Sequence, residues 1–267
     1  MAEATAQVRD GEPAAAGSRG AEVHDRAESL GGFEIDVYFQ GLAAIKDVDV
    51  EVGRKELLGL IGPNGAGKTT LVNVLTGFQR PTKGRVFLDG QDVTNRPPHA
   101  FRRSGVARTF QAGRLFLEMP VVENVEVAAV NQGVNRAKGH AHAMEMLEWV
   151  GLADKAHMLA GALPYTDERR VGIARALAMN PHYVLLDEPA AGMSDHECDE
   201  IMHLIGEIPE RFGCGVLLIE HNMRVVMGVC HRVQVLDGGR TITHGTPKEI
   251  MAHPEVIKAY LGHTAEA

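Results

Sequence analysis

The sequence predicts an α/β domain: a parallel-sheet core, preceded by a β-rich segment and interrupted by a helical one. Three observations carry this. "ELLGLIG", "HYVLLDE" and "GCGVLLIEH" are short continuous apolar runs, the pattern of strands buried on both faces. "FEIDVYF" and "AAIKDVDVEV", upstream of them, alternate apolar and polar residues like antiparallel strands with one wet face. Between Val122 and Met179 the character turns helical.

Taken in order, the first thirty residues are rich in Ala, Gly and Glu and lack aromatics. They have no apolar h-region, so they read as a disordered tail rather than a secretory signal, with order expected from about Phe33. "ELLGLIG" stops at glycine, "KTTLVNVLTG" follows as a helix closed by Gly77, and "GRVFLDGQDVT" returns to strand and turn. "AHAMEMLEWVGLADKA" places Met144, Leu147, Trp149 and Val150 at helical spacings, with Gly151 as a C-cap. The two later apolar strands follow, and "RVQVLDGGRTITHG" closes the core as a hairpin-like pair.

Composition narrows the function. The 267 residues, 45% of them hydrophobic, suffice for one large domain or two small ones. A net charge of -8 argues against nucleic acid as the main partner, since phosphate backbones select basic stripes. Cys198, Cys214 and Cys230 are odd in number and lack C-x-x-C spacing, so they read as reduced thiols of a cytosolic protein. No apolar run reaches the ~18–20 residues of a spanning helix.

The chemistry sits in a few motifs. "GPNGAGKTT", Gly62 to Thr70, fits G-x-x-x-x-G-K-[ST] between a buried strand and a helix. In such a loop (Gly62, Pro63, Asn64, Gly65, Ala66, Gly67) backbone N–H groups curl around phosphate oxygens at a helix N-terminus. Lys68 can then reach the β- and γ-phosphates, Thr69 can offer a hydroxyl to Mg²⁺, and Thr70 follows. "YVLLDEP" delivers Asp187 and Glu188 at the carboxyl edge of a strand, where open α/β sheets hold ligands. Asp187 is expected to orient Mg²⁺ and Glu188 to polarise the attacking water. His221 ends another apolar strand; alone it would read as a satisfied core histidine, but beside these motifs a γ-phosphate contact is the better reading. Gln111, in "ARTFQAGRLF", would link nucleotide to partner. His140 and His142, two residues apart in a polar stretch, read as exposed residues rather than a metal pair.

In this order the motifs resemble the ATP-binding cassette (ABC) family, from Phe33 to about Gly262. Within it, "GVARTFQAGRLF", "VVENV", "LDEPAAGM", "EHNMRVVMGVCHRV" and "GTPKEIMAHPEVIKAYLG" are most similar to ATPase subunits of branched-chain amino-acid importers. The resemblance implies a P-loop NTPase (RecA-like) core with an antiparallel β subdomain and a helical subdomain at about 112–180. The nucleotide-binding domain would span 32–262, with tails at 1–31 and 263–267. It implies ATP and Mg²⁺, with Thr69, Gln111 and Asp187 as the Mg²⁺ residues, Glu188, His221 and Gln111 as the catalytic set, and Phe39 stacked on adenine (Tyr38 as the alternative). It implies two integral-membrane permease subunits, whose coupling helix would dock on the segment from Gln111 through Val125. It also implies an external solute-binding protein, and a place on the cytoplasmic face of the membrane. Such cassettes dimerise head-to-tail, so the signature segment of one serves the ATP of the other.

Here the chain departs from the family. The signature L-S-G-G-Q reads Leu163, Pro164, Tyr165, Thr166, Asp167, followed by Glu168. A side chain at Thr166 crowds the partner's γ-phosphate where glycine would admit it. Asp167 and Glu168 answer the positive end of their own helix. At an effective dielectric near 20, a unit charge ~6 Å from phosphate charge costs roughly 3 kcal/mol before screening. Gly172 inside the same helix costs on the order of 1 kcal/mol against alanine. Ser194 stands where the family carries aspartate or asparagine, with Asp195 next to it. The expectation is therefore a heterodimer with a second, normal cassette, a homodimer being the alternative. The competing functions are urea, amide or lipid transport, and a nucleotide-binding regulatory subunit with weak turnover. A soluble translation or repair cassette fits less well, because the chain has neither a second cassette nor a coiled-coil insertion.

Overall fold

The computed structural model describes residues 28–110, 114–130 and 133–262. Strands β1 (Ser29–Phe39) and β2 (Leu42–Gly53) form a hairpin, closed at Gln40 and Gly41, both with positive φ. Two positive φ values are what a two-residue turn needs to match strand twist. β3 (Leu57–Ile61) and helix α1 (Lys68–Leu75) follow, then β4 (Lys83–Leu88), β5 (Gln91–Asp92), α2 (Pro98–Arg103) and β6 (Val106–Arg108). The helical segment comprises α3 (Val121–Val130), α4 (Arg136–Trp149) and α5 (Tyr165–Leu177), with α3 packed on both others. The chain then returns as β7 (Tyr183–Asp187), α6 (Asp195–Phe212), β8 (Gly215–Ile219), α7 (Met223–Val229), β9 (Arg232–Asp237) and β10 (Arg240–Gly245). It ends in α8 (Pro247–Ala252) and α9 (Pro254–Gly262).

Two sheets result. The antiparallel one has the order β2-β1-β4-β5, and the larger one β10-β9-β3-β8-β7-β6. In the larger sheet all neighbours are parallel except the edge hairpin β9–β10. Alternation within the apolar runs explains their double burial. Leu58, Leu60, Tyr183, Leu185, Leu217 and Ile219 face a core shared with α1 and the antiparallel sheet. Leu57, Ile61, Val184, Leu186, Val216 and Leu218 face the core shared with α3–α7. The sheets are stitched directly: Lys46 donates its N–H to Gly239 O (2.8 Å), and Gln234 donates to Asp49 O (2.7 Å).

The structure corrects one boundary. Strand β1 starts at Ser29, inside the expected tail. Ser29 to Gly32 pair with Gly53 to Val50 of β2, and Leu30 to Gly32 with Leu88 to Val86 of β4. Leu30 is fully buried. Two glycines carry no strand propensity of their own, so this start is set by pairing rather than by pattern.

Candidate functional site

The phosphate loop links β3 to α1, at the carboxyl edge of the parallel sheet. Its conformation depends on glycine at two points. Gly62 has φ 151°, and a Cβ there would lie 2.1 Å from Leu236 O; at Gly67, the α1 N-cap with φ 96°, it would lie 2.4 Å from the Ile45 side chain. Lys68 is buried and folds back on the loop, donating to Gly62 O (2.7 Å) and Pro63 O (3.0 Å). Burial lowers its pKa, opposed by the carboxylates of Glu188 and Asp187. A cleft of about 400 Å³ opens here, lined by Ala43, Ala44, Asn64 to Thr70, Glu188, Gly238 and Gly239. An ammonium, a helix N-terminus and a turn of backbone N–H groups make this an anion cradle.

Strand β7 brings in the two acids. Its parallel register sets Asp187 opposite Ile219, and Glu188 follows with φ 47°, donating its N–H to Ile219 O (2.9 Å). Asp187 is buried, accepts Arg108 at Oδ2 (2.9 Å), and its N–H is held by Thr109 Oγ1 (3.0 Å). The same guanidinium donates to Asn73 Oδ1 (2.6 Å) and lies over the Phe110 ring, 5.1 Å from its centroid. His221 stands with Nδ1 3.7 Å from Glu188 Oε1. The structure therefore brings together Lys68, Thr69, Thr70, Asp187, Glu188 and His221. Thr69 and Asp187 offer the hard oxygen donors that Mg²⁺ prefers, so the donor set fits the ion.

Other expected residues lie apart. Phe39 ends β1 opposite Leu42 and is 48% exposed; neither it nor Tyr38 lines the cleft. Gln111 falls outside the described residues. None of Leu163 to Asp167 lines the cleft: they form the entry to α5, with Leu163 buried and Pro164 as N-cap. His140 is exposed and pairs with Glu126 (3.0 Å), while His142 is half-buried beside Glu145 (3.3 Å), so burial of His142 corrects the expectation that both are exposed. No group of three metal-ligating side chains occurs among the described residues. The three cysteines are free and buried, and burial pushes Cys214 and Cys230 up to about 12.

Two side chains at the signature are engaged. Asp167 is buried and paired with Lys155 Nζ (2.5 Å), which changes the charge argument: this carboxylate meets a cation instead of standing open to an incoming phosphate. Thr166 donates its hydroxyl to Glu197 Oε1 (2.5 Å). Ser194 caps α6 and forms a capping box with the same Glu197, whose other oxygen accepts the Ser194 hydroxyl (2.7 Å) and N–H (2.8 Å). These bonds hold the Glu197 carboxyl down at about 2. Asp195 is instead exposed and faces Arg224 (3.4 Å). The sequence reading missed Arg108, Lys155, Glu197 and Glu220; only the Ser-x-x-Glu spacing at Ser194 offered a local signal.

Comparison with known proteins agrees with this architecture. The family described as "ABC transporter" matches residues 45–191, and "Branched-chain amino acid ATP-binding cassette transporter" matches 240–266. The high-affinity branched-chain amino acid transport ATP-binding protein LivG of Escherichia coli K12 is 42% identical over 239 residues, covering 84% of this chain and 94% of LivG. BraF of Pseudomonas aeruginosa PAO1, which carries the same description, is 41% identical over the same shares. Among solved structures, the ADP conformation of MJ1267, an ATP-binding cassette of an ABC transporter, matches with TM-score 0.80 and 30% identity, over 88% of this chain and 99% of that one. The fold, the phosphate-loop cleft and these likenesses converge: the chain belongs to the ATP-binding cassette family and is an ATPase subunit of an ABC transporter.

Proposed function

We propose that this chain powers an importer of branched-chain or related hydrophobic amino acids. The observation that carries the chemistry is the cleft that Lys68 and Glu188 line at the carboxyl edge of the parallel sheet, with His221 Nδ1 3.7 Å from Glu188 Oε1. The phosphate loop and Lys68 hold the triphosphate, Glu188 draws a proton from the attacking water, and His221 steadies Glu188 and the terminal phosphate. Thr69 and Asp187, with Gln111, would hold Mg²⁺, which neutralises phosphate charge when bound. Phe39, exposed at the end of β1, supplies the adenine contact in this reading.

The substrate class rests on the C-terminal match at 240–266 and on LivG and BraF. In this reading the chain sits peripherally on the cytoplasmic face, against two permease subunits that receive substrate from an external binding protein. No helix among the described residues is long and apolar enough to cross a membrane. The permease segment docks on the stretch from Gln111 through Val125; a groove of about 390 Å³, lined by Phe78, Phe101, Phe110 and Met179, opens beside its start. The second cassette is a related chain with a normal signature. The support for heterodimerisation is steric, from the side chain at Thr166, since Lys155 removes the charge objection at Asp167.

Three measurements test this. Lys68→Ala should abolish binding of a fluorescent ATP analogue, whereas Glu188→Gln should bind it and lose turnover by at least ~10²-fold. Cells lacking this chain should lose uptake of labelled leucine, isoleucine and valine, restored by the wild type and not by Glu188→Gln. Unchanged uptake overturns the substrate class. The purified chain alone should turn ATP over slowly at every protein concentration and faster as Thr166→Gly; a fast wild type rising with concentration squared makes it a homodimer.

A further inference from the structure

A second acid lies beside Glu188, at the matching place on the neighbouring strand. Glu220 directly follows β8 as Glu188 directly follows β7, and the two strands run parallel in register. The residues differ in every other respect. Glu188 turns toward the phosphate-loop cleft, whereas the Glu220 side chain is completely buried and does not line it.

A buried carboxylate needs hydrogen-bond donors, and Glu220 takes three from the backbone, with the His221 Nδ1 3.9 Å from its Oε2. Its Oε1 accepts the N–H of Ala190 at 2.8 Å. Its Oε2 accepts the N–H of His221 at 3.1 Å and of Asn222 at 3.3 Å. Ala190 belongs to the turn that Glu188 opens with its left-handed φ. Asn222 caps α7, its side chain accepting the Arg224 N–H at 3.0 Å. One carboxylate thus closes the turn carrying Glu188 and the turn carrying His221, one with each oxygen. The two functional side chains, 3.7 Å apart, have no shorter covalent route between them than the length of α6 and β8.

We infer that Glu220 is a positioning residue for hydrolysis: it clamps the loop after Glu188 to the loop bearing His221 and so fixes the distance between base and histidine. The inference rests on the reading of Glu188 as the base. Glu220 does not line the cleft; it acts through the two loops and through the His221 ring, whose Nδ1 lies 3.9 Å from Glu220 Oε2. A carboxylate is required because both oxygens accept. An amide offers one accepting oxygen and one NH₂, so glutamine would leave either Ala190 or the His221–Asn222 pair facing a donor.

The test is a double-mutant cycle in the full-length chain, with Glu220→Gln, Glu188→Gln and the double variant. Each is assayed for ATP turnover and for binding of a fluorescent ATP analogue. Glu220→Gln should lower kcat about 10- to 100-fold, the usual cost of an ångström-scale misplacement, and leave nucleotide affinity within about twofold. In the double variant the loss should not add to that of Glu188→Gln, because Glu220 works through Glu188. Amide exchange supplies a readout independent of turnover. In Glu220→Gln, Ala190 or the His221–Asn222 pair should exchange faster while phosphate-loop amides keep their protection. If Glu220→Gln does not fold, Glu220→Asp serves: it retains the charge but falls one methylene short of spanning both loops, and should give the same split. A folded variant with wild-type kcat, an equal loss of kcat and affinity, or full additivity overturns the inference. If Glu188→Gln itself retains turnover, the assignment of the base has failed instead.

Discussion

Thr166 and Ser194, two positions at which this chain differs from the family pattern, share one carboxylate: Glu197 accepts the hydroxyl of the first at 2.5 Å and of the second at 2.7 Å. The entry to α5 and the entry to α6 are therefore cross-linked through an acid three residues into the second helix. The threonine hydroxyl is held sideways, toward α6, which fixes where its methyl group points as well.

Removing that bond should be visible in titration. The Glu197 carboxyl lies at about 2 against an ordinary 4.5, first because Thr166 donates to it and then because Ser194 does. A depressed carboxylate contributes stability that is complete above the ordinary value and is lost as pH falls from about 4.5 toward about 2. Thr166→Val, which keeps the shape and deletes the donor, should raise the Glu197 pKa and move acid unfolding to higher pH. Carboxyl NMR titration of Glu197 checks this; an unmoved titration refutes the bond.

Lys155 is the second device at the signature. Its pKa is raised by the hydrogen bond and charge of Asp167. Lys155→Met should uncover a negative charge at the α5 entry and weaken ATP-dependent association of cassettes about two- to fivefold, the scale of a partly exposed pair. Adding Asp167→Asn should restore association. Sedimentation in the Glu188→Gln background, with and without ATP, measures both steps.

Arg108 and Asp187 form a buried pair, each side chain about a tenth exposed (9% and 10%). Arg108→Met leaves Asp187 without its cation and Asn73 without its donor. The expected loss is about 3–5 kcal/mol, seen as a melting temperature lower by roughly 10 °C. Saturating Mg²⁺ and ATP should recover part of that loss, because ligand binds only the folded state. Arg108→Lys should not rescue fully, since an ammonium cannot span Asp187 and Asn73 as a planar fork does.

Gly172 offers a gain rather than a loss. It lies inside α5, and a Cβ added there would meet nothing within 4 Å. Gly172→Ala should stabilise the chain by about 1 kcal/mol, raising the melting temperature by roughly 2–4 °C in thermal denaturation.

What could be read from the sequence was local. The glycine spacing of Gly62 to Thr70 sits between β3 and α1 as its pattern required, and the apolar runs ending in Asp187–Glu188 and before His221 became β7 and β8. "RVQVLDGGRTITHG", expected as a hairpin-like pair, is the β9–β10 hairpin, turning at Gly238 and Gly239, both at positive φ. What could not be read was the identity of partners distant along the chain. Thr166 meets Glu197 across 31 residues, and Arg108 meets Asp187 across 79. Ser194-x-x-Glu197 signals a helix start, yet nothing in that spacing says that a hydroxyl from another helix also takes the carboxylate. Ser29 to Gly32 fail for a related reason, because glycine-rich backbone joins a sheet without leaving an alternation to detect.

The position of β3 between β8 and β9 has a consequence for synthesis. Residues 29–88 supply three paired antiparallel strands early, whereas Leu57 waits for its bond to His231, 174 residues further along. A chain growing from its N-terminus therefore carries the whole phosphate loop long before the strand beneath it has either neighbour. Both strands that flank β3 are in place only once the chain has been made through Asp237.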